Sequence, residues 1–571
     1  MRSISNGTIA SLFAAGVTVS LASCSASNEA APTDEFENSE SSLTVPEGIL
    51  YRVRINSSGK CVNVSGNSQA DGAQVIQWPC STSSLNDRFD LVSVGGDTYQ
   101  IRPTHSGKCL NVSGNSTANG AAIIQFRCEG GNNERFRIQR VTNGVRAVAV
   151  NSGKCIEVPN NSDGTQLRQN TCNGSANQTF SPINGGALRV GDPIAGLPAA
   201  NVDAFSDGRD DFEEVETNDD GLGPIFNDRS CGNCHNVGAI GGGSTRVETR
   251  FGSSSNGVFD PLASRGGSLL QDQTIGSVVV AGRNCTWALE VVPSVANRRA
   301  GRRTTPLFGL GLVDLVPDST FTNLSASQPS QVRGRTSITT DFVGRRTNAV
   351  GKFGWKGQNP TLFQFSGDAY LFEMGITNEL APGIAPFAVE QCPNQNGDCA
   401  QIATCDTVPG IDDEDENEDG TSDGVQAFFN FMRFLTPPPR GNVGNAENSG
   451  EQVFSRIGCA TCHTASFSTP NSSSLPQAMR SRPFHPYSDF LLHNMDGGAD
   501  GIVQGTAGAQ DMRTAPLWGL RFITTFMHDG SQTSIDGAIR AHRGQGQAAA
   551  DAFRNLGSTD RSNLLAFLRS L

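Results

Sequence analysis

The chain has 571 residues, with 43 Lys and Arg against 56 Asp and Glu and a formal net charge of -13. This length predicts two or three domains, each large enough to bury its own core. The acidic balance leaves little basic surface, so we expect neither nucleic acid nor anionic lipid headgroups as binding partners.

The N-terminus has the pattern of an export signal. One Arg precedes an apolar stretch from Ile9 to Ala22, which runs into the sequence Leu-Ala-Ser-Cys ending at Cys24. This ending resembles the bacterial lipobox, so residues 1–23 are predicted to be a lipoprotein signal peptide and Cys24 the lipidated first residue of the mature chain. An ordinary secretory signal with an incidental cysteine is the alternative.

The following residues predict a tether and a location outside the cytoplasm. Residues 24–46 are rich in Ser, Glu, Asn and Ala, a composition typical of disorder. No later segment reaches the ~18 apolar residues of a spanning helix, so lipid would be the only membrane anchor. Fifteen cysteines suit an oxidising compartment. We expect an exported protein in the periplasm, on the outer membrane as a lipoprotein, or at the cell surface.

Residues 47–183 contain three repeats. Each has Gly-Lys-Cys, then a polar, Gly-rich stretch, a second cysteine and finally Asn-x-x-Phe. A period of about 45 to 48 residues with short β-rich runs predicts three similar units that close into one β barrel. The whole region resembles the ricin-type β-trefoil lectins.

That resemblance implies a disulfide within each lobe. The pairs are Cys61 with Cys80, Cys109 with Cys128, and Cys155 with Cys172. Loops of this length contribute roughly 3 kcal/mol each on the chain-entropy model.

The resemblance also implies a sugar site. The family grips sugar hydroxyls with an Asp two residues after the first cysteine, and here that position holds Asn63, Asn111 and Glu157. The aromatic platform before the second cysteine corresponds to Trp78, Phe126 and Asn170. The first lobe therefore keeps the best candidate site, with Asn63, Trp78 and Asn86 as its expected contacts. A trefoil that serves only as a spacer or protein-docking module is the alternative.

Two Cys-x-x-Cys-His motifs carry the strongest chemistry of the chain. In this motif both thiols add to the vinyl groups of haem c, and the histidine becomes the proximal iron ligand. A redox dithiol or a zinc knuckle would not explain the adjacent histidine twice. We therefore predict two covalently bound haem c groups, held by Cys231, Cys234 and His235 and by Cys459, Cys462 and His463.

The haem region is internally duplicated. Downstream of the motifs lie the related segments RTTPLFGL, from Arg303, and RTAPLWGL, from Arg513. Apolar residues at three- and four-residue steps in GVQAFFNFMRFL and RSNLLAFLRSL predict helices. The expected fold is thus a β-trefoil followed by a mainly α tandem cytochrome c-type dihaem domain, with haem modules at residues 190–410 and 425–571.

Six segments in order between residues 190 and 571 resemble the dihaem oxidoreductases related to bacterial dihaem cytochrome c peroxidases. They are GLGPIFNDRSCGNCH, RRTTPLFGLGLVDLVPD, GKFGWKGQNPTLFQFSGDAYLFEMGIT, GEQVFSRIGCATCH, HPYSDFLLHNMDGG and RTAPLWGLRFITTFMHDGS. The resemblance implies an oxidoreductase that reduces hydrogen peroxide at the first haem. Electrons would enter at the second haem from a small redox donor or a small cytochrome.

The ligands of the second haem follow from the same resemblance. In the peroxidases Phe-His-Asp-Gly is followed, fourteen residues after its histidine, by the distal ligand, which is Met. Here Phe526-Met527-His528-Asp529-Gly530 is followed at that spacing by His542. This implies His463 and His542 as iron ligands, a low reduction potential, and His528 beside a haem propionate. An exposed helix histidine is the alternative for His542.

At the first haem, Trp355-Lys356-Gly357 resembles a Trp-Asp-Gly segment whose Trp bridges the two haems. Gln364 and Glu373 then correspond, with a one-residue gap, to a Gln and a Glu of the peroxide pocket. A carboxylate there can take a proton from one peroxide oxygen and return it to the other. The alternatives are a core Trp355 and a surface Glu373.

The distal ligand of the first haem has no clear candidate. No histidine follows His235 at the spacing of the peroxidases, so this haem is expected to be open to peroxide or oxygen. The alternative is that one of the two unassigned histidines, His485 or His493, is the distal ligand of this haem.

Residues 411–424 predict either a calcium loop or a solvated acidic linker. Oxygen ligands alternate around a Gly at Asp415, Asn417, Asp419 and Asp423, without the usual closing Glu. Nearby, three pairings of Cys285, Cys392, Cys399 and Cys405 are open.

The sequence therefore leaves three hypotheses for the function of the protein. The first is a dihaem peroxidase-like enzyme with a trefoil that binds a glycan or cell-wall ligand. The second is an electron-transfer cytochrome whose haems both have two protein ligands. The third is a surface protein for adhesion or iron handling, in which the trefoil gives the specificity.

Overall fold

A computed structural model describes residues 45, 48–81, 84–187, 189–395, 400–408, 410–412 and 423–571. The predicted signal peptide, Cys24, Cys399 and the calcium residues Asp415, Asn417 and Asp419 lie outside these ranges. Asp423 begins a helix, so the calcium loop stays a prediction. No helix in the described ranges is long and apolar enough to cross a membrane.

The N-terminal part is a closed barrel of antiparallel strands. Strand β1 pairs with β12 along its whole length, which joins the first lobe to the third and removes two free edges. The strands are β1 (Ile49–Ile55), β2 (Cys61–Val64), β3 (Val75–Trp78), β4 (Phe89–Gly95), β5 (Thr98–Pro103), β6 (Cys109–Val112), β7 (Ile123–Phe126), β8 (Phe136–Val141), β9 (Gly144–Ala149), β10 (Cys155–Glu157), β11 (Arg168–Asn170) and β12 (Phe180–Ala187).

The three lobes repeat the same contacts. Each has a hairpin, β2–β3, β6–β7 or β10–β11, and the expected disulfides Cys61–Cys80, Cys109–Cys128 and Cys155–Cys172 are present. A buried glutamine in each hairpin donates its side-chain amide to a turn of a neighbouring lobe, from Gln77 to Asn160 O, Gln125 to Ser68 O and Gln169 to Ser116 O. The repeat therefore encodes both the lobes and the bonds between them.

The remaining residues form the haem half, which has more helix than the trefoil. The helices are α1 (Ala199–Glu213), α2 (Cys231–Cys234), α3 (Leu310–Asp314), α4 (Asp318–Ser327), α5 (Leu362–Ala369), α6 (Ile402–Cys405), α7 (Asp423–Phe434), α8 (Asn445–Arg456), α9 (Ile535–Ala541), α10 (Gln547–Arg554) and α11 (Ser558–Ser570). A π-helical turn, Tyr370–Met374, continues α5.

Short strands separate these helices, so a mainly α half overstates the helix content. The strands are β13 (Ile225–Phe226), β14 (Val247–Ser255), β15 (Val258–Asp260), β16 (Gln273–Thr274), β17 (Ser277–Val280), β18 (Arg283–Thr286), β19 (Arg298–Arg303), β20 (Ser337–Asp341), β21 (Arg346–Gly351), β22 (Phe467–Ser468), β23 (Pro483–Phe484), β24 (Leu492–Asn494) and β25 (Asp511–Arg513). A disulfide joins Cys285 to Cys405, and Cys392 is also disulfide-bonded.

The duplication predicted from the sequence appears as two similar helix pairs. Helix α1 packs on α7 and α8 on α11, and in each pair a glycine, Gly208 or Gly450, lies against the backbone of the other helix. A Cβ there would come within 2.1 Å of Ala427 O or 2.0 Å of Asn563 O, so only glycine permits these crossings. Helix α7 therefore completes the first module, although the sequence placed its residues in the second.

Candidate functional site

The first haem motif lies at one wall of a cavity of about 440 Å³. Helix α2 carries the thiols of Cys231 and Cys234 to this wall, and His235 follows it directly. His235 Nδ1 donates to Gly242 O at 2.9 Å, which leaves Nε2 available as a ligand. Burial lowers the pKa of His235 to about 4, so the imidazole is neutral, as an iron ligand must be.

No second histidine lines the described wall of this first cavity. Glu373 lines it from the π-helical turn, and its Oε2 accepts a hydrogen bond from Asn227 Nδ2 at 2.7 Å. Burial, with the nearby Glu248, raises the pKa of Glu373 to about 8. The first cavity thus offers one imidazole ligand and, in Glu373, a carboxyl group able to hold a proton at neutral pH.

The second haem motif lines a separate cavity of about 420 Å³, which contains two facing imidazoles. The ring centroids of His463 and His542 lie 6.5 Å apart. Two imidazoles on one metal ion, each bonded at about 2 Å, place their centroids roughly 6 Å apart. His463 Nδ1 bonds Tyr487 O and His542 Nδ1 bonds Ala538 O, both at 2.9 Å, so both Nε2 atoms remain for the metal.

The donor sets of both cavities fit haem. Among the described cysteines, only the four of the haem motifs are free thiols. Two buried arginines, Arg303 and Arg513, also line the second cavity, and Arg303 lines the first as well. Arg303 Nε has no hydrogen-bond partner in the described structure, and burial lowers the pKa of its guanidinium. Such an arginine fits a propionate carboxylate.

Trp355 lines both cavities and lies in the wall between them. Its indole Nε1 donates to Arg303 O at 2.7 Å, and its ring packs edge to face against His528 at 6.2 Å. Lys356 takes the place of the family's Asp, and its fully buried Nζ pairs with Asp500 at 2.8 Å. Trp355 thus lies between the two cavities and His528 lines the second, while the bridging role of Trp355 and the propionate contact of His528 stay predictions.

Gln364 does not line either cavity, which corrects its expected place in the peroxide pocket. Its amide bonds to the chain at Thr340 O and Phe342 N, both at 3.1 Å. Gln364 and Glu373 are nine residues apart, which is two and a half helical turns and puts them on opposite sides of a helix. Gln271 and Gln358 line the first cavity instead.

Neither unassigned histidine faces the first cavity. His485 Nε2 lies 3.3 Å from Ser93 O, beside the trefoil. His493 lines the second cavity, with Nε2 2.9 Å from Asp489 Oδ2.

Sequence reasoning did not assign roles to Arg303 and Arg513. A signal was available, because each arginine begins one copy of the repeated segment that follows a haem motif. A buried arginine without a carboxylate partner is costly unless a ligand supplies the anion.

In the trefoil, the candidate sugar residues of the first lobe lie together. Asn63 Oδ1 accepts from Asn86 Nδ2 at 3.0 Å, and the Trp78 ring is 47% exposed. In the third lobe Glu157 is already bonded to Arg168 Nε at 2.8 Å and to Asn170 Nδ2 at 2.9 Å.

A barrel of three lobes, each closed by its own disulfide, joined to two cavities that are each lined by a Cys-x-x-Cys-His motif, defines a multidomain redox protein. Residues 294–571 match the family described as di-haem oxidoreductase, putative peroxidase, and residues 50–185 match the ricin-type beta-trefoil lectin domain. The resemblances seen in the sequence are thereby confirmed over these ranges: the chain joins a ricin-type β-trefoil to a dihaem oxidoreductase domain, a family that implies two haems. The first Cys-x-x-Cys-His motif, at residues 231–235, precedes the matched range.

Three solved structures similar to this chain each cover about a quarter of it. The designed three-fold symmetric protein ThreeFoil is 36% identical over 24% of this chain and 98% of its own, with a TM-score of 0.23. The exo-β-1,3-galactanase 1,3Gal43A of Clostridium thermocellum is 28% identical over 25% and 31%, with a TM-score of 0.24. The Macrolepiota procera ricin B-like lectin, solved with lactose, is 18% identical over 25% and 99%, with a TM-score of 0.22. No curated protein matches the chain.

Proposed function

We propose that the protein is an exported dihaem c-type oxidoreductase that reduces hydrogen peroxide at the first cavity with electrons that enter at the second. One observation carries this proposal, namely the unequal ligand supply of the two cavities. Two imidazoles suit a closed electron-entry site, whereas a single imidazole leaves a coordination position for a substrate. The two haems would supply the one-electron redox chemistry.

Glu373 is the proposed proton carrier of the first cavity. Each hydrogen peroxide takes two electrons and two protons and leaves as two waters. Because its pKa is raised to about 8, Glu373 holds a proton at neutral pH and can deliver it to the departing oxygen. The bond from Asn227 fixes one oxygen of this carboxyl group and leaves the other for substrate.

Trp355 is the proposed bridge for electrons because it is shared by the two cavity walls. Its bond to Arg303 O fixes the plane of the indole. The electrons would come from a small redox protein or a small cytochrome.

The trefoil is the proposed targeting module, which binds a glycan or a cell-wall polymer through Asn63, Trp78 and Asn86. The disulfides of the trefoil and of the haem half, together with a lectin domain, are consistent with an exported protein. A lipid on Cys24 would hold it at a membrane.

The variant Glu373→Gln tests the enzymatic proposal. It keeps the size and the bond to Asn227 but cannot transfer a proton, so peroxide turnover should fall by ~10² or more. Glu379→Gln, which changes a glutamate outside both cavity linings, is the matched control and should match the parent. Equal turnover in Glu373→Gln would remove Glu373 from the mechanism. A parent that does not reduce peroxide would leave the electron-transfer cytochrome as the function.

A further inference from the structure

The wall between the cavities contains two rings, although the sequence singled out only one as a bridge. Trp355 and His528 pack edge to face, with centroids 6.2 Å apart and planes at 73°. Trp355 lines both cavities, and His528 lines the second. An imidazole thus lies beside the bridging indole on the electron-entry side.

These two residues occupy equivalent places in the duplicated modules. Trp355 is the third residue of Phe-Gly-Trp-Lys-Gly, and His528 is the third residue of Phe-Met-His-Asp-Gly. The first Phe of each segment forms a bridge with the residue six positions later, Phe353 with Asn359 and Phe526 with Gln532. The duplication therefore brings the same turn from each module to the centre of the molecule.

The two turns are fixed by the repeated arginines in a crossed arrangement. The Arg303 backbone N–H of the first module donates to His528 O at 2.7 Å. The Arg513 backbone N–H of the second module donates to Trp355 O at 3.0 Å. Each ring is thus oriented by the opposite module, and movement of either turn would change the contact between the rings.

Within the described part of the chain, the side chain of His528 is held by packing and not by hydrogen bonds. No ring nitrogen of His528 makes a hydrogen bond to the described residues, unlike the other six histidines of the chain. Its closest described aromatic contact is the Trp355 indole. The His528 ring therefore contributes its shape and position to the contact with the Trp355 indole.

We propose that His528 is a positioning residue that holds the Trp355 indole between the two cavities and so sets the rate at which electrons pass from the second haem to the first. This inference rests on the proposed function, since it takes the second cavity as the electron entry. In each transfer one electron leaves the reduced second site and arrives at the oxidised first site, and the position of the Trp355 indole sets how readily it passes.

The test is the rate of electron redistribution between the haems after a pulse of reductant, followed by absorbance in the full-length holoprotein. His528→Ala removes the ring and should slow the transfer by about tenfold or more, because small misplacements of reacting groups have large effects on rate. His528→Phe restores a ring edge and should return most of the rate. His105→Gln, which changes a histidine bonded to Ser68 O within the trefoil, should leave the rate unchanged.

The reduction potentials of both haems, measured in each variant, separate positioning from a change in driving force. The inference predicts that electron transfer in His528→Ala is slower than in the parent although the difference between the two reduction potentials is the same. A parental rate in His528→Ala overturns the inference, and so does a rate change that the shifted potential of the second haem explains completely. The electron-transfer assay contains no peroxide and is therefore independent of peroxide turnover. If the parent transfers electrons between the haems in this assay but does not reduce peroxide in the turnover assay, only the proposed function is contradicted.

Discussion

Glu373 owes its chemistry to its place in a π-helical turn at the end of helix α5. The wider turn carries the carboxyl group to the cavity wall, where its contact with water is reduced and its charged form is disfavoured. Arg250 opposes this effect, yet burial and Glu248 prevail, so the pKa rises to about 8. The side chain therefore carries a proton under conditions in which a surface glutamate would not.

This shift predicts a pH-dependent difference in stability between the parent and Glu373→Gln. The folded pKa is raised, so the contribution of Glu373 to stability is fully present below pH 4.5 and is lost as the pH rises through about 8. Gln is neutral throughout. Relative to the parent, the thermal midpoint of the variant should therefore increase between pH 5 and pH 8.5. A difference that does not change with pH would show that Glu373 titrates normally.

For individual residues, the sequence predicted which residues take part in the site better than it predicted where their side chains point. The repeated Cys-x-x-Cys-His motif has one chemical use, and the spacing from His528 to His542 pointed to a histidine that does face His463. Gln364 lies in the expected segment, but spacing alone does not tell which side of a helix faces a cavity. Its amide bonds to β20 and the following turn instead.

The three trefoil hairpins share a frame and differ at the positions that would touch a sugar. In the first lobe the exposed Trp78 stands beside Asn63, whereas in the second lobe Arg127 stacks on Phe126 at 5.1 Å. In the third lobe the Glu157–Arg168 ion pair uses the carboxylate itself. Three similar hairpins thus offer three unequal surfaces, of which the first is the most open to a ligand.

Replacement of Trp78 by Ala should therefore abolish most of the glycan binding. An aromatic platform worth about 1.4 kcal/mol corresponds to a tenfold loss of affinity. Binding of the full-length protein to a glycan array measures this, with Phe126→Ala as the matched control that keeps the first lobe. If both variants bind as the parent does, the trefoil has a role other than sugar binding.

The trefoil strands were predictable because the same sequence pattern occurs in all three repeats. The strands of the haem half were not, since Gly- and Ser-rich runs such as β14 lack an alternating pattern and depend on pairing with the distant β19. The packing of α7 on α1 was not predictable either. Apolar residues at helical spacing show that a helix has a buried face, but they do not show which helix packs against that face.

The trefoil and the haem half meet through buried charged groups. Arg102 is fully buried, and its guanidinium donates to Ala478 O at 3.0 Å and to Arg480 O at 2.9 Å. Asp90 pairs with Arg482 at 2.9 Å. The same chain segment leads within a few residues to Tyr487, whose carbonyl oxygen bonds His463. The trefoil therefore supports the segment that orients a ligand of the second cavity.

Arg102→Met should loosen this segment. The substitution removes the donor of Arg480 O and one of the two donors of Ala478 O, at a cost of roughly 1 to 3 kcal/mol. Hydrogen exchange of residues 477–482 should speed up, and Arg146→Met, which changes an arginine bonded to Gln139 within the trefoil, should have no such effect there. Unchanged protection in Arg102→Met would mean that the two parts touch without supporting each other.

The haem half of the molecule contains two related modules whose cavities differ. Equivalent helices, arginines and central turns recur in both copies, but only the second cavity places a second imidazole opposite the first. The proposed division into a reaction site and an electron-entry site depends on this difference.

The electron paramagnetic resonance spectrum of the oxidised, full-length protein tests this difference most directly. We predict one high-spin haem signal from the first cavity and one low-spin, bis-imidazole signal from the second. His542→Met assigns the signals, because it should alter only the low-spin one and raise the potential of that haem. Two low-spin signals in the parent, with the second ligand of the first haem supplied by the chain, would contradict the account.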